Sequence, residues 1–317
     1  MKRKSNLFEK IVDPENIRIA HTNSRKGKTG YREVKVFDRN LEGGLIAVKD
    51  ILENGYAVSK YRVRKIHDRG KERVLYILPY FPDRIIQHCI VQVLEPIFMN
   101  HYIRDTFQSI KGRGVHDCKR RVERVVLGSV NMYCLKIDIK SYYPSIDNEI
   151  LKVFIRRIIK CKETIKLLDT IIDSQDGVPI GSYLSQHLGN FYLSYLDHHF
   201  KEVIGCKHYF RYCDDIVILH HNKEFLHSVR KELSEQLSLL KLEMKQNYQV
   251  FPLDKRGLDF VGYVFHPTHT KLRKSIKTNF KKCSLDNASS YYGWVKHCSG
   301  KRLWRKVIKQ KRARRNK

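Results

Sequence analysis

Acidic residues are scarce in this chain: 33 Asp and Glu stand against 62 Lys and Arg in 317 residues, a formal charge of +29. Such an excess repels itself in a compact fold and attracts polyanions, so nucleic acid is the natural partner and an unspecific basic protein the blander alternative. Eight cysteines are present, yet no C-x-x-C pair occurs among them, so the usual zinc spacing is excluded. Several sit in apolar runs where a thiol behaves as a small hydrophobe; reduced thiols and a soluble, cytosolic setting are expected. No apolar run approaches bilayer length, and no apolar region follows the basic Met1-Lys2-Arg3-Lys4, so neither a membrane span nor a signal peptide is expected. There is no internal repeat. Regular βα spacing is missing too, which argues against a parallel barrel or a dinucleotide fold and for an α+β arrangement, an antiparallel sheet backed by helices.

The apolar periodicity places elements along this frame. Residues 1–60 are mixed, with a Gly- and Lys-rich break at Ser24–Gly30 and a short helix near Val48–Leu52. A hairpin is expected over residues 61–79, turning at Asp68-Arg69-Gly70-Lys71. Pro82 is placed like a first-turn proline, and Ile85, Ile86, Cys89, Ile90, Val93, Leu94 and Ile97 follow at helical spacing. Further helices are predicted over 115–127, 150–172, 182–203 and 225–240, a strand over 132–139, and hairpins over 207–219 and 258–265. The tail from Lys301 to Lys317 holds ten basic residues and no acids, as expected of a solvated end that orders on RNA.

The chemistry centres on Tyr212-Cys213-Asp214-Asp215, which lies between two apolar, β-prone runs. Adjacent acids at a hairpin tip repel each other unless a cation lies between them and a further acid. That acid is Asp138, at the end of the strand in which Leu135, Ile137 and Ile139 face one way and Lys136 and Asp138 the other. With the Ile139 carbonyl, the three carboxylates form a candidate site for two divalent ions (magnesium) suited to phosphoryl transfer. An Asp-Asp turn alone is weak evidence, since Asp is common in turns.

These segments resemble reverse transcriptases. Lys136-Ile137-Asp138-Ile139-Lys140-Ser141-Tyr142-Tyr143 is similar to their motif A, Val178-Pro179-Ile180-Gly181-Ser182-Tyr183-Leu184-Ser185-Gln186 to motif B, and Tyr212–Asp215 to the Y-x-D-D box. Leu242-Glu243-Met244-Lys245 and Phe260-Val261-Gly262-Tyr263 resemble motifs D and E, and Pro82–His88 a finger motif. The resemblance implies a right-hand polymerase fold with fingers, palm and helical thumb. It divides the chain into an N-terminal extension (1–60), fingers (61–131), palm (132–265, with a finger insertion at about 148–178) and thumb with basic tail (266–317).

The same resemblance implies roles. Asp138, Asp214 and Asp215 would be catalytic metal ligands, with Lys245 the proton donor to pyrophosphate. Tyr143 would be the aromatic gate against a 2′-hydroxyl, with a core tyrosine as the competing reading. Arg73, with Lys71 or Arg69 nearby, would clamp the triphosphate, for which a guanidinium fork is suited. Ile180, Gly181 and Gln186 would line the nucleotide site. Arg84, Arg113, Gly262, Tyr263, Trp294, Arg302 and Arg305 would meet template and primer strands.

Most reverse transcriptases carry Gln-Gly-x-x-x-Ser-Pro in motif B, whereas Ile180 and Gln186 stand at the Gln and Pro positions here. That departure, with Tyr291-Tyr292-Gly293-Trp294, resembles the diversity-generating retroelement type. The type implies error-prone cDNA made from a template-repeat RNA, loosened most opposite template adenines. It also implies a bacterial, archaeal or phage source and a cytoplasmic location. The implied partners are template RNA, primer, dNTPs and a small basic accessory protein, the accessory variability determinant, with oligomerisation an option. The alternatives are a retron, abortive-infection or intron-derived enzyme, an RNA polymerase, or an inactive RNA-binding scaffold.

Overall fold

The computed structural model describes residues 2–68 and 71–315. The chain divides into two compact units, one of Met1–Ile103, Lys140–Asp197 and Gln236–Glu243, the other of Arg104–Ile139, His198–Glu235 and Met244–Lys317.

In the first unit the opening residues are far more helical than the single short helix expected: Phe8–Ile11, Pro14–Ser24, Arg32–Arg39 and Leu41–Asn54. The Asp13 side chain accepts from the Glu15 and Asn16 amides and Pro14 opens the first turn, a strong start signal. Leu45, Val48 and Leu52 form the buried stripe of the last of these helices. The Gly43-Gly44 pair, poor in helix propensity, hides its first half from a sequence reading.

Strands β1 (Arg62–Asp68) and β2 (Lys71–Ile77) pair as the predicted hairpin, Arg62 opposite Ile77. Its turn residues Arg69 and Gly70, and the side chain of Lys71, lie outside the described residues. Helix Ile85–Met99 is apolar on most of its circumference because it is covered by Pro14–Ser24 and by Tyr183–Tyr192. The stretch 150–172 is two helices, Asn148–Ile158 and Lys162–Ile172, with Cys161 in extended backbone as the second N-cap. The long helix expected from Ser182 to Val203 runs as three successive segments, Tyr183–Tyr192, Ser194–His198 and His199–Val203.

The second unit is built on a five-stranded sheet. Its strands are β3 (Thr106–Phe107), β4 (Tyr133–Asp138), β5 (His208–Tyr212), β6 (Asp215–His220) and β7 (Gln249–Pro252), in spatial order β3-β5-β6-β4-β7. Every pairing is antiparallel except β3 with β5, so the expected antiparallel sheet is mixed at one edge. Its core gathers Cys134, Phe210, Val217 and Leu219 with Cys118, Val122 and Val126 of helix Val115–Val126. Strands β8 (Leu258–Phe260), β9 (Tyr263–His266) and β10 (His269–Leu272) extend the second predicted hairpin into a three-stranded sheet.

Helices Lys274–Lys282, Ala288–Val295 and Lys301–Arg315 follow. The basic tail is helical over Lys301–Arg315. Leu303, Trp304, Val307 and Ile308 recur at helical spacing, Val307 is buried, and the Trp304 ring stacks on Phe280 at 5.3 Å. Among the described residues, no helix is long and apolar enough to cross a membrane.

Candidate active site

The three acids converge in the second unit. Asp138 ends β4, Asp215 begins β6, and the two are direct antiparallel partners. Tyr212 pairs with Asp215 across the β5–β6 turn, leaving Cys213 and Asp214 as a two-residue loop. Cys213 takes φ +58°, a left-handed conformation that costs a non-glycine residue about 1–2 kcal/mol. What holds it there is Arg211, whose fully buried guanidinium donates from Nη1 to the Cys213 carbonyl at 3.0 Å. Sequence reasoning passed over Arg211. The available signal was a cation inside an apolar strand, two residues before the turn.

Like charges placed opposite each other across strands are destabilising. Burial first, and then the neighbouring Asp138, raise the Asp214 carboxyl above its ordinary range. Burial, then Asp214, lift Asp215 to about 6. Lys245 offsets part of this repulsion: its ammonium lies 2.5 Å from Asp138 Oδ2 and its amide donates to the Asp138 carbonyl at 2.9 Å. Lys136, at the next outward position of β4, donates to the Asp259 carbonyl at 2.7 Å and also draws the Asp215 carboxyl down.

Among the described residues, no three His, Cys, Asp or Glu side chains already form a cluster ready to hold a metal ion. At this site the Lys245 ammonium lies on Asp138. The donor set nevertheless fits a hard divalent cation. Asp138 Oδ1 is buried with no hydrogen-bond partner, and Asp214 and Asp215 are held together against their own repulsion. The Ile139–Met244 bridge is made by two hydrogen bonds, Lys245 N–H to the Asp138 carbonyl and Lys140 N–H to the Glu243 carbonyl, which leaves the Ile139 carbonyl outside both.

The residues expected at the nucleotide lie in the first unit. Tyr142 is core, its hydroxyl donating to the Gly189 carbonyl, while Tyr143 is half-buried with its ring edge against Gly189. Ile180 is half-buried, and its carbonyl accepts from the Tyr76 amide at 2.8 Å. Gly181 has φ +115°, and a Cβ there would sit 2.9 Å from the Tyr76 carbonyl oxygen, so this position requires glycine. Gln186 and Arg73 are exposed, Arg73 on β2 opposite Ile66.

The candidate nucleic-acid residues differ among themselves. Arg302 and Arg305 are exposed on the tail helix. Arg84 and Arg113 are partly buried, and burial lowers the pKa of both guanidinium groups. Tyr263 is fully buried with its hydroxyl donating to the Trp294 carbonyl at 3.1 Å, so its expected place on a binding surface is corrected to one in the core. Gly262 explains the neighbouring pattern. Its φ is +86°, and a Cβ would stand 2.5 Å from the Trp294 ring, so glycine there admits the indole.

Comparison with known proteins accords with this geometry. No curated protein matches the sequence. Telomerase from Candida albicans, solved with a fragment of telomeric RNA, is similar in fold with TM-score 0.52 and 11% identity, over 71% of this chain and 50% of that one. Apo telomerase from Candida tropicalis gives TM-score 0.50 and 15% identity, over 71% of this chain and 52% of that one. The chain thus spans about half the length of these structures, and the likeness concerns the fold alone. The family model described as reverse transcriptase (RNA-dependent DNA polymerase) matches residues 63–265, which include Asp138, the Ile180–Gly181 loop and the Asp214–Asp215 hairpin. The chain belongs to the reverse transcriptase family and has its α+β polymerase fold.

Proposed function

We propose that the protein is an RNA-directed DNA polymerase of the diversity-generating retroelement type, copying a template-repeat RNA into error-prone cDNA. The observation that carries the polymerase reading is the pairing of Asp138 with Asp215 at strand ends, with Asp214 in the adjoining turn, against the repulsion that raises Asp214 and Asp215. Asp138, Asp214, Asp215 and the Ile139 carbonyl would hold two magnesium ions. When bound, such ions supply charge neutralisation and Lewis acidity to a primer hydroxyl and a triphosphate. Lys245, with its ammonium on Asp138, is the proton donor for the leaving pyrophosphate. The half-buried Tyr143, distinct from its core neighbour Tyr142, is the barrier to a ribose 2′-hydroxyl. Arg73 is the triphosphate clamp, and Arg302 and Arg305 meet strand phosphates.

In this reading residues 61–131 act as fingers, 132–265 as palm and 266–317 as thumb and tail. The subtype rests on Ile180. A glutamine there could hydrogen-bond to base or sugar, whereas an aliphatic side chain offers only packing. Ile180 is half-buried and outside the closed core, so part of its side chain is left to meet a base or sugar. Template RNA, primer and dNTPs are the partners, with a small basic accessory protein as a further one.

Primer extension on an RNA template with magnesium tests the activity, with Asp214→Ala as control. Incorporation of ribonucleotides in place of deoxynucleotides would turn the assignment toward an RNA polymerase. Sequencing of the cDNA tests the subtype: Ile180→Gln lowers misincorporation opposite adenine about fivefold, the scale of one hydrogen bond. An unchanged adenine error rate removes Ile180 from that role.

A further inference from the structure

The loop from Gly177 to Ser182 leads into helix Tyr183–Tyr192, and the start of that helix is capped in an unusual way. Ser182 is the N-cap in extended backbone (φ −80°, ψ 141°), yet its hydroxyl does not cap its own helix. The hydroxyl donates instead to Gln87 Oε1 at 2.9 Å, and the Tyr183 amide donates to the same oxygen at 3.0 Å. Gln87 belongs to helix Ile85–Met99 and is 3% exposed; Ser182 is 7% exposed. Because a backbone N–H can only donate, the atom facing Tyr183 must be the amide oxygen, which fixes the orientation of the Gln87 side chain. The next residue, His88, stacks on the Tyr183 ring at 4.2 Å and 14°, so one turn of the finger helix grips both backbone and ring.

Two residues upstream, the Ile180 carbonyl accepts from Tyr76, and Gly181 lies against the same Tyr76 backbone. The dipeptide Ile180-Gly181 is thus set by β2 and the dipeptide Ser182-Tyr183 by Gln87. A serine at this position ordinarily turns inward to accept from the second or third amide of its helix. Here the hydroxyl is taken up by Gln87 Oε1 instead. Without that amide oxygen, a buried hydroxyl and a partly buried amide lose their acceptor, and Ser182 regains the inward cap, shifting the backbone next to Gly181.

We infer that Gln87 is a positioning residue for nucleotide selection, an amide that caps the motif B helix from a neighbouring helix and so fixes how Ile180 and Gly181 are presented. This rests on the polymerase reading given above. Gln87 itself touches no nucleotide in this role; it acts through Ser182 and Tyr183.

Hydrogen exchange and single-nucleotide incorporation on the full chain test the inference in separate ways. In Gln87→Leu the Tyr183 amide exchanges at least about tenfold faster, a readout that needs no turnover. In the same variant the dNTP KM rises and the misincorporation ratio changes by about fivefold, while kcat stays within about twofold. Gln87→Glu keeps an acceptor at a helix N-terminus and stays near wild type in all three. Gln87→Leu with Ser182→Ala is no worse than Gln87→Leu alone, because both act through one contact. If Gln87→Leu does not fold, Ser182→Ala carries the test, with a KM rise of about twofold at unchanged melting temperature as the expected result. Unchanged Tyr183 protection, or unchanged KM and misincorporation in a folded variant, overturns the inference. A wild-type chain that extends no primer while Tyr183 responds as stated overturns the polymerase reading and leaves the tether standing.

Discussion

In the hairpin that carries Asp214 and Asp215, the geometry is dictated by the two strands that flank the turn. Tyr212 pairs with Asp215, and Arg211 pins the carbonyl between them. The loop around Ile180 takes its course from remote residues: Tyr76 for Ile180, Tyr143 for Val178, and Gln87 for Ser182, 95 positions away. The first region stores electrostatic repulsion in a rigid frame; the second stores little charge and is held by polar tethers. The contrast teaches where each fails. The hairpin is sensitive to charge and ions, the loop to single atoms in its neighbours.

The largest effect is expected at the acids. Asp214→Ala removes one of three carboxylates at the point of greatest repulsion, and primer extension falls about a hundredfold or more, since a bound metal supplies several kcal/mol of transition-state stabilisation. Stability of the metal-free protein does not fall with it, because a repulsive charge has gone. Loss of folding in step with loss of activity would mean that Asp214 is a structural turn residue.

Proton linkage separates the two regions by sign. Asp215 sits at about 6 against an ordinary 3.8, so between these values the folded state binds its proton more tightly than the unfolded state does. Metal-free stability contributed there therefore rises as pH falls from 6 to 4, by at most about 3 kcal/mol. In the other unit, burial depresses His88 and His187 to about 4 from 6.5, so each stays neutral in the fold while the unfolded chain takes up a proton. Their contribution is intact above pH 6.5 and is lost as pH falls toward 4, again at most about 3 kcal/mol each. Melting curves from pH 4.5 to 7.5 resolve the two limbs: Asp215→Asn raises stability at pH 7.5, and His187→Gln flattens the acid loss. Opposite signs in either variant would overturn the assignment of the shifts.

Gly181 provides a smaller and more local test. At φ +115° with the Tyr76 oxygen beside it, Gly181→Ala costs about 1–3 kcal/mol and displaces Ile180. Thermal unfolding measures the cost, and a stability equal to wild type would show that the loop relaxes freely.

The same contrast decides how much could be read in advance. The hairpin, the Asp138 strand and their alternation were legible because strand periodicity and turn chemistry are local signals. So were the Ile85–Met99 helix and the Tyr142–Tyr143 pair, though only packing separates the core ring from the half-exposed one. Gln87 and Arg211 were not legible as working residues, since an amide or a guanidinium gains its meaning from partners far along the chain. Tyr263 misled for a related reason: its place on a binding surface came from the likeness to motif E alone, and only packing shows Gly262 admitting Trp294 over a buried ring. The last of the opening helices was masked by Gly43-Gly44 and is held by burial of Leu45, Val48 and Leu52.

The tail gives the weakest effect and sharpens the contrast from outside both regions. Helix Lys301–Arg315 turns Val307 and Trp304 inward and anchors Lys311 on the Lys281 and Cys283 carbonyls, while Arg302 and Arg305 stay exposed. Its apolar stripe packs inward on Phe280, while the Arg302 and Arg305 side chains lie outside that contact. Arg302→Ala with Arg305→Ala leaves the melting temperature unchanged and lowers RNA affinity. If each contacts one phosphate, the slope of log affinity against log salt falls by about 0.7–0.9 per arginine. An unaltered slope would mean that the tail is a structural strap whose surface charge meets only solvent.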